Sequence, residues 1–137
     1  MIKVLLVDDQ EVIRTVLDLK LKTAGDMRVV ATASNGQEAL EQAIFHDPDV
    51  VLMDIYMPIM DGLEATKKIS QQCPKTRIVI LSAFNASLHI LRSLRAGASG
   101  YVLKDMLAED LLIAVRSASR GERYFSKQIR EIAKLYI

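Results

Sequence analysis

Apolar runs recur along the chain at Ile2–Val7, Val29–Ala33, Val50–Met53, Ile78–Leu81 and Tyr101–Leu103. Rich in branched residues and with little polar alternation, they read as strands buried on both faces, the habit of a parallel sheet covered by helices. Between them the apolar positions fall at helical spacing. Val12, Ile13, Val16, Leu17 and Leu21 form the stripe of a first helix, and Ala39, Leu40, Ala43 and Ile44 that of a second. Leu63 and Ile69 mark a third, Leu88, Leu91 and Leu94 a fourth, and Leu107, Leu111, Ala114, Val115 and Ala118 a fifth. Strict alternation with short connections predicts an α/β fold with a parallel sheet and right-handed crossovers, but leaves the strand order open. After Gly121, which suits the end of the fifth helix, Phe125, Ile129, Ile132 and Tyr136 return at helical spacing. The tail is therefore a sixth short helix or a linker.

The polar residues that stop these runs carry the chemistry. Val4-Leu5-Leu6-Val7 ends in Asp8-Asp9, and Val50-Val51-Leu52-Met53 ends in Asp54. In open parallel sheets ligands bind beyond the carboxyl ends of the strands, so the three acids converge on one edge. Like charges cannot share a small site without a counter-charge, and a divalent cation supplies it. Magnesium suits such a set because it takes one or two carboxylates and keeps open positions for phosphate oxygens. Asp8-Asp9 alone reads first as a solvated pair capping the first helix. Asp54 changes that balance, since it ends a buried strand and leads into the turn-rich Met57-Pro58 and Asp61-Gly62. The run Ile78–Leu81 ends in Ser82 and Tyr101–Leu103 ends in Lys104. A hydroxyl and an ammonium facing the acids can hydrogen-bond and neutralise a phosphoryl group.

Composition narrows the alternatives. At 137 residues the chain is one domain by length. Lys plus Arg number 18 against 17 Asp plus Glu, a formal net charge of +1, so no overall field draws it to nucleic acid or an anionic membrane. The single Cys73 excludes an internal disulfide, and no secretory pattern opens the sequence, which points to the cytoplasm. No apolar run reaches the roughly 20 residues of a membrane span. There is no P-loop, and no basic recognition helix for DNA. His46 and His89 fall in helical segments without a third ligand and read as surface or boundary residues.

Taken together, Val7-Asp8-Asp9, Asp54-Ile55-Tyr56-Met57-Pro58 with Asp61-Gly62, Leu81-Ser82-Ala83, and Ala96-Gly97-Ala98-Ser99-Gly100-Tyr101 leading to Lys104 resemble a receiver domain of two-component response regulators. The resemblance runs over residues 1–121. Residues 122–137, with Gly121-Glu122-Arg123-Tyr124-Phe125-Ser126, are similar to the linker of the subfamily whose receivers precede a LuxR-type helix-turn-helix domain, which is absent from this chain. The resemblance implies a flavodoxin-like three-layer sandwich with a five-stranded parallel sheet in the order 2-1-3-4-5, five helices and a short linker helix.

It also implies the roles of the site residues. Asp54 accepts a phosphoryl group from a phosphohistidine of a sensor histidine kinase. Asp8, Asp9, Asp54 and the backbone carbonyl of Tyr56 hold Mg2+, with Mn2+ as a substitute. Lys104 pairs with Asp54 and then with the phosphoryl oxygens, Ser82 moves to bond them, and Tyr101 is the switch aromatic whose ring follows inward. Tyr56 and Phe84 border the path of the hydrolytic water and set the lifetime of the phosphorylated state. Phosphorylation favours a homodimer, and DNA is reached only through the missing domain. Receivers often carry a cis proline after the lysine, but Lys104 is followed by Asp105, where a cis bond costs ~3 kcal/mol. The rival readings are a magnesium-dependent aspartyl-phosphate phosphatase and a degenerate receiver serving as a docking module. Against the first, such phosphatases carry a second Asp two residues after the nucleophile, and position 56 is Tyr.

Overall fold

The computed structural model describes residues 1–137. Strands β1 (Ile2–Val7), β2 (Met27–Ala33), β3 (Val50–Asp54), β4 (Arg77–Ser82) and β5 (Gly100–Leu103) alternate with helices α1 (Glu11–Lys22), α2 (Gly36–His46), α3 (Gly62–Gln72), α4 (Ser87–Ala96) and α5 (Leu107–Ser119). A two-residue strand β6 (Tyr124–Phe125) and a short helix α6 (Arg130–Lys134) follow. All pairings are parallel, in the order β2-β1-β3-β4-β5-β6. The sheet thus has one strand more than the five expected. β6 is too short to show in an apolar pattern and exists only because Gly100 and Tyr101 pair with Tyr124 and Phe125.

Alternation along each strand sorts the core into two halves, since successive side chains point to opposite faces. Val4, Leu6, Leu52, Val79, Leu81 and Val102 face α1 and α5, which contribute Leu17, Leu21, Leu111, Ala114, Val115 and Ala118. Leu5, Val7, Val51, Met53, Ile78, Ile80 and Tyr101 face the other way, against Ala39 and Ala43 of α2, Ala65 and Ile69 of α3, Ile90 of α4 and Ala133 of α6. This is the three-layer sandwich.

The buried helical stripes are narrower than the apolar periodicity predicts. Leu17 and Leu21 are buried, but Val12 and Val16 on the same helix are 72% and 52% exposed. In α2 Ile44 points to solvent, and in α4 the buried positions are Ile90 and Ser93 while Leu88 is exposed. A helix lying on a sheet buries a narrow strip, so apolar residues flanking that strip satisfy the periodicity without entering the core. In the tail Phe125, Ile129 and Ala133 are buried, whereas Tyr136 is exposed.

Caps and close approaches fix the loops at the functional edge. Asn35 caps α2 and Asp61 caps α3 by accepting the backbone N–H groups of Glu38 and Glu64, each at 2.9 Å. Gly62 must be glycine, because a Cβ there would stand 1.9 Å from the backbone oxygen of Asp54. Its own N–H donates to the Ile55 carbonyl at 2.7 Å, which folds the loop after β3 tightly back onto that strand. No peptide bond is cis, and Lys104–Met106 forms a 3-10 turn into α5.

Candidate functional site

The carboxyl ends of β1 and β3 are adjacent, with Val7 beside Met53, so Asp8, Asp9 and Asp54 emerge together. One carboxylate oxygen from each lies within 4.8 Å of the other two. Their surroundings differ. Asp8 is buried, Asp54 is half-buried and Asp9 is exposed. The Asp8 carboxylate accepts the Gln10 N–H at 2.9 Å through one oxygen and the Lys104 ammonium at 3.1 Å through the other. Asp54 accepts the N–H of Ile55 at 2.9 Å, and its Oδ1 stands 3.3 Å from Lys104 Nζ. Lys104, delivered by the end of β5, therefore bridges two of the three acids.

Charge balance in this pocket is incomplete. Burial pushes the Asp54 carboxyl above the ordinary carboxylate range; the Lys104 ammonium opposes that rise and the neighbouring Asp8 charge adds to it. For Lys104 burial works against the charged form, but Asp54 and Asp8 outweigh it and raise its pKa. One ammonium among three carboxylates leaves net negative charge at the strand edge, lined by hard oxygen donors. Such a donor set fits a hard divalent cation.

Ser82 ends β4, next to the strand that carries Asp54, and is buried. Its Oγ accepts the Phe84 N–H at 3.0 Å. The Tyr101 ring is already fully buried, and its hydroxyl donates to the Phe84 carbonyl at 2.6 Å. Burial raises the Tyr101 pKa, with the Ser82 hydroxyl acting in the opposite sense. The inward ring position expected only after phosphorylation is therefore present in this conformer, because the hydroxyl finds a backbone acceptor in the loop after β4. Tyr56 and Phe84, in the loops that follow Asp54 and Ser82, are both exposed on one side and meet in edge-to-face contact, ring centres 5.3 Å apart.

Two residues near the site carried no chemical signal in the sequence. Arg14 Nη1 donates to the Asp8 carbonyl at 2.7 Å, one helical turn into α1. His89, in the first turn of α4, contacts both Tyr56 and Phe84. The position of a helix relative to a loop thirty residues away leaves no mark in local spacing.

Comparison with known proteins places this arrangement. The family profile described as response regulator receiver domain matches residues 4–116. The chain belongs to the response regulator receiver domains. The receiver is 44% identical over 121 residues to the transcriptional regulatory protein LnrK of Bacillus subtilis (strain 168), covering 88% of this chain and 55% of that protein. It is 42% identical over 128 residues to the oxygen regulatory protein NreC of Staphylococcus haemolyticus (strain JCSC1435), covering 93% of this chain and 59% of that one. The receiver thus spans little more than half the length of these curated relatives.

Among solved structures, a LuxR-family two-component response regulator from Aurantimonas sp. SI85-9A1 superposes with a TM-score of 0.91 at 32% identity, over 97% of this chain and 95% of that one. The signal receiver domain of the putative response regulator NarL from Mycobacterium tuberculosis gives 0.84 at 31% identity, over 88% and 98%. The receiver is thus a two-component signalling domain of LuxR-family type. No helix is long and apolar enough to cross a membrane.

Its tail is tied to the same strand that delivers Lys104. Ser126 Oγ accepts the Leu103 N–H at 3.0 Å and donates to Asp110 at 2.7 Å, and the Tyr124 hydroxyl donates to the other Asp110 oxygen at 2.7 Å.

Proposed function

We propose that Asp54 accepts a phosphoryl group from a phosphohistidine of a sensor histidine kinase, and that this controls a transcriptional output domain beyond residue 137. The observation that carries the reading is the convergence of Asp8, Asp9 and Asp54 within 4.8 Å, bridged by Lys104 at 3.1 and 3.3 Å. Asp8, Asp9 and Asp54, with the backbone carbonyl of Tyr56, would hold Mg2+, or Mn2+ in its place. That ion supplies charge neutralisation on the phosphoryl oxygens. The protein's own part is positioning. Asp54, half-buried and held by the Ile55 N–H, presents an oxygen for in-line attack on phosphorus. Lys104 lies where it can pass from the carboxylates to the new phosphoryl oxygens, and Ser82 can exchange the Phe84 N–H for the same group. Transfer and hydrolysis need no further catalytic side chain, so the receiver is a phosphoacceptor with weak self-catalysis.

Residues 1–121 form the switch and 122–137 the connection to the output domain. The transcriptional and oxygen-regulatory names of LnrK and NreC support a DNA-binding output carried by that domain, with no DNA contact by the receiver itself. A phosphorylation-favoured homodimer in the cytoplasm follows the same reading. Tyr56 and Phe84 shield the acyl phosphate from water, since aromatic rings offer no carboxylate or amide to orient it.

Incubation with acetyl phosphate and magnesium, followed by intact mass, tests the acceptor. One phosphoryl adduct on wild type that is absent from Asp54→Asn is expected. Wild type without an adduct would identify a degenerate receiver acting as a docking module.

A further inference from the structure

His89 joins three segments that converge beside the acceptor. Its Nε2 lies 2.8 Å from the Tyr56 hydroxyl. Its ring is stacked on Phe84, centroids 4.8 Å apart and planes 8° from parallel, and meets Tyr56 edge-on at 5.9 Å. Tyr56 belongs to the loop after β3, Phe84 to the loop after β4 and His89 to α4, so the three rings form a closed triangle across separate elements. The other ring nitrogen, Nδ1, is buried without a hydrogen-bond partner. An apolar ring would fill this place in the fold without that cost, and buried unpaired polar atoms in a native protein call for an explanation. The one polar bond the imidazole does make is to Tyr56.

We propose that His89 is a positioning residue for the phosphoryl site, locking Tyr56 and Phe84 into a single aromatic cover that slows hydrolysis of the phosphorylated state. This rests on the reading of Asp54 as acceptor. In hydrolysis a water oxygen attacks phosphorus, the bond to the Asp54 oxygen breaks with its electron pair returning to the carboxylate, and the water's protons pass to inorganic phosphate and solvent. Held only by their mutual edge contact, the two exposed rings part readily to admit that water. Joined through His89, they open only together, and the excluded water must wait for the rarer event.

The cover is also wired to the switch. The Phe84 backbone is held at its N–H by Ser82 and at its carbonyl by Tyr101. When Ser82 leaves Phe84 for the phosphoryl oxygens, the Tyr101 bond and the ring stack on His89 are the restraints that remain on that residue. His89 thereby keeps the cover in place at the moment the acyl phosphate needs it.

The test is the decay of the phosphoryl adduct, loaded with acetyl phosphate and followed by intact mass after donor removal, with a melting curve for each variant. His89→Phe keeps the stack but loses the bond to Tyr56, and Tyr56→Phe loses the same bond from the other side. Each is expected to decay about threefold to tenfold faster than wild type, the size of one net hydrogen bond. The double variant is expected to be no faster than either single one, because both remove one shared interaction. His89→Gln, whose amide reaches toward the Nε2 position, is expected to recover part of the slow decay. Equal decay in wild type, His89→Phe and Tyr56→Phe overturns the cover while leaving the acceptor standing. A fall in melting temperature without faster decay does the same, by assigning His89 to the fold alone. Wild type that takes up no phosphoryl group overturns the acceptor and the cover together.

Discussion

At the scale of single residues, the acids at the strand edge oppose the stability of the domain that carries them. Asp54 sits against Asp8 in a half-buried pocket, and its carboxyl is held above its ordinary value of 3.8 by burial. A raised carboxyl pKa weakens the folded state fully above the folded value, and the effect vanishes below the unfolded one. Asp54→Asn is therefore expected to match or exceed wild type in urea midpoint at neutral pH without metal, and the difference is expected to close as pH falls below about 4. Lys104 is not orphaned by the change, because its bond to Asp8 remains. A clearly lower midpoint for Asp54→Asn would show that pairing with Lys104 outweighs the repulsion. Gly62 and Ile59 illustrate the opposite kind of residue, whose backbone rather than charge serves the site. Gly62 permits contact with the Asp54 carbonyl, and Ile59 holds φ at +71° in the loop between them, an unfavourable conformation for a β-branched residue.

At the scale of elements, the tail is part of the folded sheet. β6 pairs two residues alongside β5 at the sheet edge, and the small buried Ala133 together with Ile129 seats α6 on the layer that also holds α4. The Asp110 carboxylate is the polar anchor of this union, taking the hydroxyls of Tyr124 and Ser126 in a buried setting. Burial and that bond to Asp110 both raise the Tyr124 pKa. Asp110→Ala removes two charge-assisted bonds and leaves Ser126 Oγ without its acceptor. It is expected to cost about 2 kcal/mol or more in urea denaturation and to speed amide exchange of Tyr124 and Phe125. Unchanged exchange at β6 would mean that Ile129 and Ala133 hold the tail unaided. Because Ser126 bonds the residue just before Lys104, this element is coupled to the strand that delivers that lysine.

At the scale of the whole molecule, the strand edge is the one place where four elements of separate sequence meet as a single chemical unit. Any ligand that binds this unit only in the folded state stabilises the entire domain by mass action. Magnesium at about a hundred times its Kd is expected to add about 2.7 kcal/mol, read as a higher melting temperature. Asp9→Ala is expected to lose that rise, since Asp9 is the exposed member of the acid cluster and the other two already share Lys104. Identical melting of wild type with and without millimolar magnesium would refute the metal site.

Local chemistry was enough to determine the alternation of strands and helices, because each strand is a short buried run that only a covered parallel sheet accommodates. It was also enough to mark Asp8, Asp9, Asp54, Ser82 and Lys104, since each belongs to the polar residue or pair that ends such a run, and strand ends in a parallel sheet share one edge. Tertiary structure alone decided which apolar residues are core. Val12 and Val16 share the periodicity of Leu17 and Leu21, yet only contact with the sheet separates buried from exposed. The same holds for β6, whose two residues become a strand only by pairing with Gly100 and Tyr101, and for the buried state of Tyr101, set by a carbonyl seventeen residues earlier. His89 is the clearest case. A lone histidine in an amphipathic helix carries no local sign of its partners, and its place against Tyr56 and Phe84 follows from how α4 docks against two loops. Periodicity and propensity act over a few residues, whereas docking is settled by the summed packing of the whole core.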